Sequence, residues 1–127
     1  MKSILVFAGT IILASCIVSA QDVMKVAPSL VKVLLENENV RVLDFNLKKG
    51  DMVPMHSHLN QTIYCIASGK SKTGTPDGKS TETEFKVGEA RWSGPITHSN
   101  EALTDLHVIV IEMKETAKME KKMEEKK

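Results

Sequence analysis

The chain has 127 residues, of which 17 are basic and 16 acidic, so its formal net charge is +1. This near-neutral balance argues against a nucleic-acid-binding protein, because such proteins need a surplus of Lys and Arg to displace counterions from phosphates. Three Phe, one Trp and one Tyr are too few to build the stacking surfaces that single-stranded nucleic acids use. The length is enough for one small domain after removal of a leader.

Residues 1 to 20 have the features of an export signal. Lys2 precedes an apolar run from Ile4 to Val18, and small residues lead from there to Ala20. The run is shorter than the roughly 18 apolar residues that a spanning helix needs, and polar residues follow it directly. We therefore predict cleavage after Ala20 and export to the periplasm or the medium, with no stable membrane span in the mature chain.

A lipoprotein leader is the alternative interpretation of the same segment. Leu13 to Cys16 resembles the bacterial lipobox, in which the cysteine becomes the lipidated first residue. Against this alternative, Ile17 and Val18 continue the apolar run where mature lipoproteins normally turn polar. With cleavage after Ala20, Cys65 is the single remaining cysteine, so no intramolecular disulfide can form.

Short strands and turns account for most of the chain after the leader. Val31 to Glu36 and Val40 to Leu47 flank a polar turn and predict a hairpin. A turn at Lys48 to Asp51 follows, and we predict that the histidine pair after it begins a strand that continues to Ala67. Thr75 to Lys79 predicts a second hairpin turn, whose threonine-rich arms favour a sheet edge.

The last predicted strands are Ala90 to Ser93 and Leu106 to Glu112, and no long helix interrupts the series. Many short strands joined by glycine-containing turns predict a single all-β domain over residues 21–113, folded as an antiparallel barrel or jelly roll. Residues 114–127 are almost wholly Lys, Glu and Met and predict a charged tail that is flexible or helical.

The run from Gly50 to His58 is the feature that points most directly to function. His56 and His58 are two residues apart, so an extended strand presents both imidazoles on one face. Neutral imidazole nitrogens are common ligands of divalent transition metals. His98 lies in a second glycine-led segment, which a barrel can bring across its interior. These three residues predict a metal site.

The alternative for these residues is a set of polar histidines on a barrel rim, satisfied by backbone carbonyls and water. The spacing of His56 and His58, together with His98 downstream, favours the metal site over this alternative. His107 is different, because it lies in a predicted strand far from either glycine-led segment. We expect it to be an ordinary surface or interface histidine.

The spacing of these segments resembles the two motifs of the cupin superfamily, over a region from about Val33 to Met113. The residues that match the first motif are Gly50, His56, His58 and Gly69, and those that match the second are Gly88, Pro95 and His98. Thr62 stands where the family usually has a metal-binding glutamate. The second match is looser, because Ile96 and Thr97 lack the family's extra glycine and Ala102 replaces a common asparagine.

The resemblance implies a single-domain cupin, a double-stranded β-helix or jelly-roll barrel. It implies that His56, His58 and His98 bind a divalent transition-metal ion, with Fe, Ni, Zn, Mn and Cu all left open. The family also implies a small-molecule ligand or substrate and a homodimer. Two functions remain open: a metal-dependent enzyme, oxygenase or lyase-like, and a non-catalytic ligand-binding module with or without metal.

Further side chains are candidates for the pocket wall. They are Gln61, Thr62, Tyr64, Arg91 and Trp92. Tyr64 shares strand parity with Thr62 and is predicted to point inward with it, while Cys65 has the opposite parity and is left out of the site. Arg91 is the natural anchor for a carboxylate. Each also has a structural explanation, because barrels bury aromatic bodies and Arg beside Trp is often a surface pair.

Overall fold

A computed structural model describes residues 21–127, so the predicted leader and Cys16 lie outside the described residues. The strands are β1 (Val31–Glu36), β2 (Val40–Leu47), β3 (Met52–His58), β4 (Gln61–Ala67), β5 (Gly69–Gly74), β6 (Ser80–Phe85), β7 (Ala90–Ser93), β8 (Ile96–Ala102) and β9 (Leu106–Met113). The helices are α1 (Val23–Val26) and α2 (Glu115–Glu124). The predicted hairpin of β1 and β2 has the predicted bounds.

The strands form two antiparallel sheets. The five-stranded sheet has the order β1-β2-β9-β4-β7, and the four-stranded sheet has the order β3-β8-β5-β6. Strand β6 is an edge, as the threonine-rich hairpin arms predicted. The predicted all-β, double-sheet architecture is therefore confirmed.

The core lies between the two sheets and is built by period-two alternation. In β9, the buried residues alternate with half-buried ones over the whole strand. Leu43, Phe45, Val108 and Val110 are buried on the inner face of the five-stranded sheet. Cys65 joins this core as a free thiol that is 1% exposed. Burial of apolar side chains of this kind is the main driving force for the fold.

Two elements differ from the sequence-based prediction. The histidine strand does not continue to Ala67, because Leu59 and Asn60 separate β3 from β4 and send the two strands into different sheets. Strand β8 was not predicted, since its sequence is largely polar and lacks the β-branched run typical of strands. Its backbone is instead paired on both sides, with β3 and with β5.

The predicted tail contains helix α2, which begins directly after Lys114. Lys114 itself forms an ion pair with Glu36 at 2.7 Å. Across residues 21–127, neither helix is long and apolar enough to span a membrane.

Gly69, which closes the first motif, has no room for a side chain. A Cβ atom there would lie 2.2 Å from the backbone oxygen of Asp105 and 2.9 Å from Cβ of Leu106. We expect Gly69→Ala to lower the free energy of unfolding by about 3 kcal/mol, the upper end for overpacking. Urea denaturation measures this. Gly94→Ala is the control, because its nearest neighbour would be 3.9 Å away. Equal stability of the two variants would contradict the prediction.

Candidate metal centre

The structure brings His56, His58 and His98 together between the sheets. His56 and His98 are directly opposite each other on the paired strands β3 and β8, so their side chains share one face. An irregularity in the pairing between Val53 and His56 sets the inward direction of the histidine pair. His56 is 0% and His58 6% exposed. One nitrogen from each of the three rings lies within 4.8 Å of the others.

The hydrogen bonds of the histidine pair fix where its protons lie. Nδ1 of His56 is 2.7 Å from the carbonyl oxygen of Pro54, and Nδ1 of His58 is 2.6 Å from Oε1 of Glu112. A carbonyl and a carboxylate only accept, so each Nδ1 carries the proton and donates it. In the neutral form of each ring, Nε2 then carries the lone pair that can bind a metal ion.

The two Nε2 atoms face each other, because Nε2 of His56 and Nε2 of His58 are only 2.9 Å apart. Either a shared proton or a shared metal ion accounts for so short a contact. Metal–nitrogen bonds of about 2.1 Å place two adjacent ligand nitrogens about 3.0 Å apart at a right angle. The pair therefore has the separation of two neighbouring ligands of one ion.

His98 completes the three-cornered face. Its Nδ1 is buried and has no hydrogen-bond partner within residues 21–127, and its Nε2 lies 3.2 Å from the side-chain amide nitrogen of Asn100. The widest ligand-atom separation, 4.8 Å, exceeds the roughly 4.2 Å that two nitrogens on one ion can reach, so the His98 ring has to turn slightly inward on binding. The residues fit a three-imidazole site after this small rotation.

A series of ion pairs from Glu112 through Arg41 to Asp22 holds the Nδ1 side of the His58 ring. Oε2 of Glu112 accepts a hydrogen bond from Nε of Arg41 at 2.7 Å, and Nη1 of Arg41 reaches Oδ2 of Asp22, also at 2.7 Å. Asp22 in turn caps α1 by accepting from the amide of Met24. Carboxylates that hold the distal nitrogen of a ligand histidine orient the ring and make it a better donor.

The surroundings favour the states that bind metal. Burial alone raises the pKa of Glu112, but hydrogen bonds from His58 and Arg41 outweigh it and hold that pKa below its usual value. Burial lowers the pKa of His56. Burial, and then the neighbouring imidazoles, lower the pKa of His98 to about 3. Glu112 is thus ionised, and His56 and His98 are neutral, as metal ligands must be.

A cavity of about 380 Å³ opens beside the histidines. Its wall includes His58 and His98 together with an apolar side formed by residues such as Phe45, Ile63 and Val110. The opposite side is rich in hydroxyl groups from β5 and β6, among them Thr73 and Thr83. A volume of this size accommodates a small organic molecule.

Three of the five predicted pocket residues line the cavity, and two do not. Gln61 is 1% exposed and lines the cavity, and Arg91 and Trp92 also border it. Thr62 is not among the lining residues, and Tyr64 is 43% exposed. The prediction that these two point inward is therefore corrected. The two-residue connection after β3 starts β4 at Gln61, so odd-numbered residues of β4 face the core.

Arg91 does not act as a free cation. Its Nε and Nη2 lie 2.9 and 3.0 Å from the two carboxylate oxygens of Glu89, and Nη2 also donates to the carbonyl oxygen of Glu84. The guanidinium carbon lies 4.8 Å from the centre of the Phe85 ring. The expected carboxylate anchor is thus already paired within the chain.

Sequence analysis missed the supporting residues Glu112, Arg41 and Asn100. The signal for Glu112 was present, because it has the same parity as Leu106, Val108 and Val110 in an otherwise apolar strand. No comparable signal marked the other two. His107 behaves as the ordinary histidine that we expected and pairs with Asp44.

Comparisons with known proteins give the fold its name. Neither a protein-family model nor a curated protein matches the chain. The chain is similar to the crystal structure of a cupin domain from Bordetella pertussis Tohama I, with 21% identity over 65% of this chain and 90% of that chain, and a TM-score of 0.60.

Two further crystal structures agree. An RmlC-like cupin protein from Desulfovibrio desulfuricans has 24% identity over 66% of this chain and 80% of that chain, with a TM-score of 0.51. An RmlC-like cupin family protein with a double-stranded β-helix fold from Methanocaldococcus jannaschii has 17% identity over 65% and 77%, with a TM-score of 0.52. The chain therefore has the fold of the cupin superfamily, as its two glycine and histidine motifs indicated.

Proposed function

We propose that the protein binds a divalent transition-metal ion through His56, His58 and His98 and, next to it, a small neutral organic molecule. The observation that carries this proposal is the convergence of the three rings: Nε2 of His56 and Nε2 of His58 are 2.9 Å apart, and one nitrogen from each ring lies within 4.8 Å of the others. Burying three imidazoles in one cluster removes them from water, and a divalent ion shared by the three rings would offset that cost. The cavity beside the histidines supplies the space for the organic molecule.

Three neutral imidazoles do not cancel the charge of a divalent ion. Such an ion keeps positions open for oxygen or nitrogen donors and polarises the groups that bind there. Fe, Ni, Zn, Mn and Cu all accept this ligand set, so the proposal covers each of them. The role of the chain is to hold the three rings, to keep them neutral and to exclude bulk water from one side.

The cavity wall favours a neutral ligand. Arg91 is the one wall residue that is positively charged at neutral pH among those described, and Glu89 neutralises it at 2.9 Å. Apolar side chains and hydroxyl groups make up most of the remaining wall. A molecule with an apolar body and a few hydroxyl or carbonyl groups matches this surface.

The protein is either a metal-dependent enzyme or a ligand-binding module, and the titratable residues of the cavity wall bear on both possibilities. Within residues 21–127, the titratable side chains of the cavity wall are His58, His98 and Arg91, so the wall offers no free carboxylate for acid or base chemistry. Turnover of an oxygenase or lyase type would therefore depend on the ion. A ligand-binding module without turnover is the second candidate that the same observation favours.

A pair of chelating probes that differ in apolar size tests the proposal. We expect benzohydroxamic acid to bind the Ni²⁺-loaded chain at least about tenfold more tightly than acetohydroxamic acid, because its ring adds roughly 1.4 kcal/mol or more of apolar contact. Isothermal titration measures both affinities. The chelator-treated chain is the control and should bind neither probe. Equal affinities of the two probes, or equal binding without metal, would contradict the proposal.

Export and a homodimer are further parts of the proposal. The features of residues 1 to 20 support export to the periplasm or the medium, with lipid anchoring at Cys16 as the alternative. The family resemblance supports a homodimer, and so does the outer face of the five-stranded sheet, where Leu35, Tyr64 and Ile66 are 48, 43 and 41% exposed. Exposed apolar side chains on one face are typical of contact surfaces.

A further inference from the structure

Gln61 has a buried acceptor with no donor. It is the first residue of β4, its side chain is 1% exposed, and Oε1 has no hydrogen-bond partner among the described residues. Buried amide oxygens are almost always hydrogen-bonded, because an unpaired one loses its hydration without compensation. An orphan of this kind beside a metal-ligand cluster points to a group that binds there.

The register of the sheet explains why the neighbouring strands do not supply a donor. Gln61 lies directly opposite Glu112 on one side and Ser93 on the other. Glu112 is an ionised carboxylate that accepts from His58 and Arg41, so it has no proton to donate. The hydroxyl group of Ser93 donates instead to the carbonyl oxygen of Gly94 at 3.0 Å.

The same register places Gln61 beside the histidines. Directly opposite residues on paired strands point to the same face, so Gln61 and Glu112 share the inner face. Glu112 contacts Nδ1 of His58 at 2.6 Å. Gln61 also lines the cavity to which His58 and His98 contribute. Gln61 therefore borders the same cavity as two of the three imidazoles, those of His58 and His98.

We propose that Oε1 of Gln61 is a fourth protein ligand of the ion that His56, His58 and His98 hold. This inference rests on the proposed function. An amide oxygen is an established metal donor and carries no charge, so a set of three imidazoles and one amide leaves the full charge of the ion in place. Thr62, which the motif spacing matches to a glutamate, is replaced in this role by its neighbour.

Cobalt binding to the full chain tests the assignment. The absorption bands of Co²⁺ report its donor atoms and coordination number, and competition with a chelator gives its dissociation constant. We expect Gln61→Leu to weaken Co²⁺ binding by at least about tenfold, as the loss of a group that touches a ligand already does, and to change the visible spectrum. Gln61→Glu should tighten binding, because it adds a negative charge.

Thr62→Val is the matched control, because Thr62 is the next residue of β4 and does not line the cavity. Its Co²⁺ affinity and spectrum should equal those of the wild type. If Gln61→Leu and Gln61→Glu both keep the wild-type spectrum and affinity, Gln61 is not a ligand, whereas the three-histidine site stands. If the wild-type chain binds no Co²⁺, the proposed function fails first. Should Gln61→Leu not fold, the Gln61→Glu spectrum alone decides.

Discussion

Glu112→Ala is expected to destabilise the protein and to weaken metal binding at the same time. Glu112 joins His58 to Arg41 in a site where its own side chain is 3% exposed and that of Arg41 is 13% exposed. Removing it leaves the guanidinium of Arg41 with Asp22 as its remaining partner. Breaking a buried ion pair on one side costs about 3–5 kcal/mol of unfolding free energy.

The effect on the ion has a separate cause. Without Glu112, Nδ1 of His58 has lost the acceptor that fixes its proton and the direction of the ring. Loss of such a partner lowers metal affinity about 10–100-fold. Urea denaturation and a metal titration measure the two effects independently.

Two control variants sharpen this experiment. Glu82→Ala removes an exposed carboxylate of β6 and should leave both quantities unchanged. Glu112→Gln keeps an acceptor for His58 but loses the charge that Arg41 requires, so it should retain more metal affinity than Glu112→Ala. Equal stability of Glu112→Ala and Glu82→Ala would show that the ion pair between Glu112 and Arg41 does not stabilise the fold.

The double variant His56→Ala, His58→Ala is expected to lose the response to metal entirely. At a free ion concentration about 100 times the dissociation constant, the wild-type chain should gain about 2.7 kcal/mol of unfolding free energy. The double variant should gain none, because it retains His98 as the single imidazole of the site. Denaturation in the presence of the ion and of a chelator measures this difference.

His107→Ala is the matched control for histidine loss. His107 is half-buried and pairs with Asp44, away from the ligand cluster. It should keep the full wild-type response to the ion. A double variant that is stabilised by the ion as strongly as the wild type would place the metal elsewhere in the chain.

Local pattern was enough to predict the outer frame of this fold. The alternation of Val40 to Leu47 and the β-branched residues of Leu106 to Glu112 identify central strands without any knowledge of their partners. The pair His56 and His58 likewise reveals its shared face through strand period alone. These features are encoded within a few residues of one another, so sequence analysis could find them.

The inner face of β4 could not be predicted in the same way. Which of Gln61 and Thr62 points inward depends on the two-residue connection after β3 and on the pairing of β4 with β9. A shift of one residue exchanges the two faces of a strand. The motif spacing drew attention to Thr62, and the register instead turned Gln61 into the core.

The charged residues depended on long-range partners. Arg41 meets Glu112 across 71 positions of sequence, and no local pattern links them. Arg91 was predicted to anchor a carboxylate of the ligand. Glu89 is only two residues away, but whether it pairs with Arg91 depends on the geometry of the fold. The sequence alone does not show whether an arginine is free or paired with a carboxylate. The preference for a neutral ligand could therefore be argued only from the structure.

Elemental analysis of the untagged protein, purified from its native source, tests the central claim most directly. The account predicts close to one divalent transition-metal ion per chain in the wild type and none in the His56→Ala, His58→Ala variant. A wild-type protein that carries no such ion, and that cannot be loaded with Fe, Ni, Zn, Mn or Cu, would contradict the metal centre. The ligand-binding module without metal would then be the function that the cavity supports.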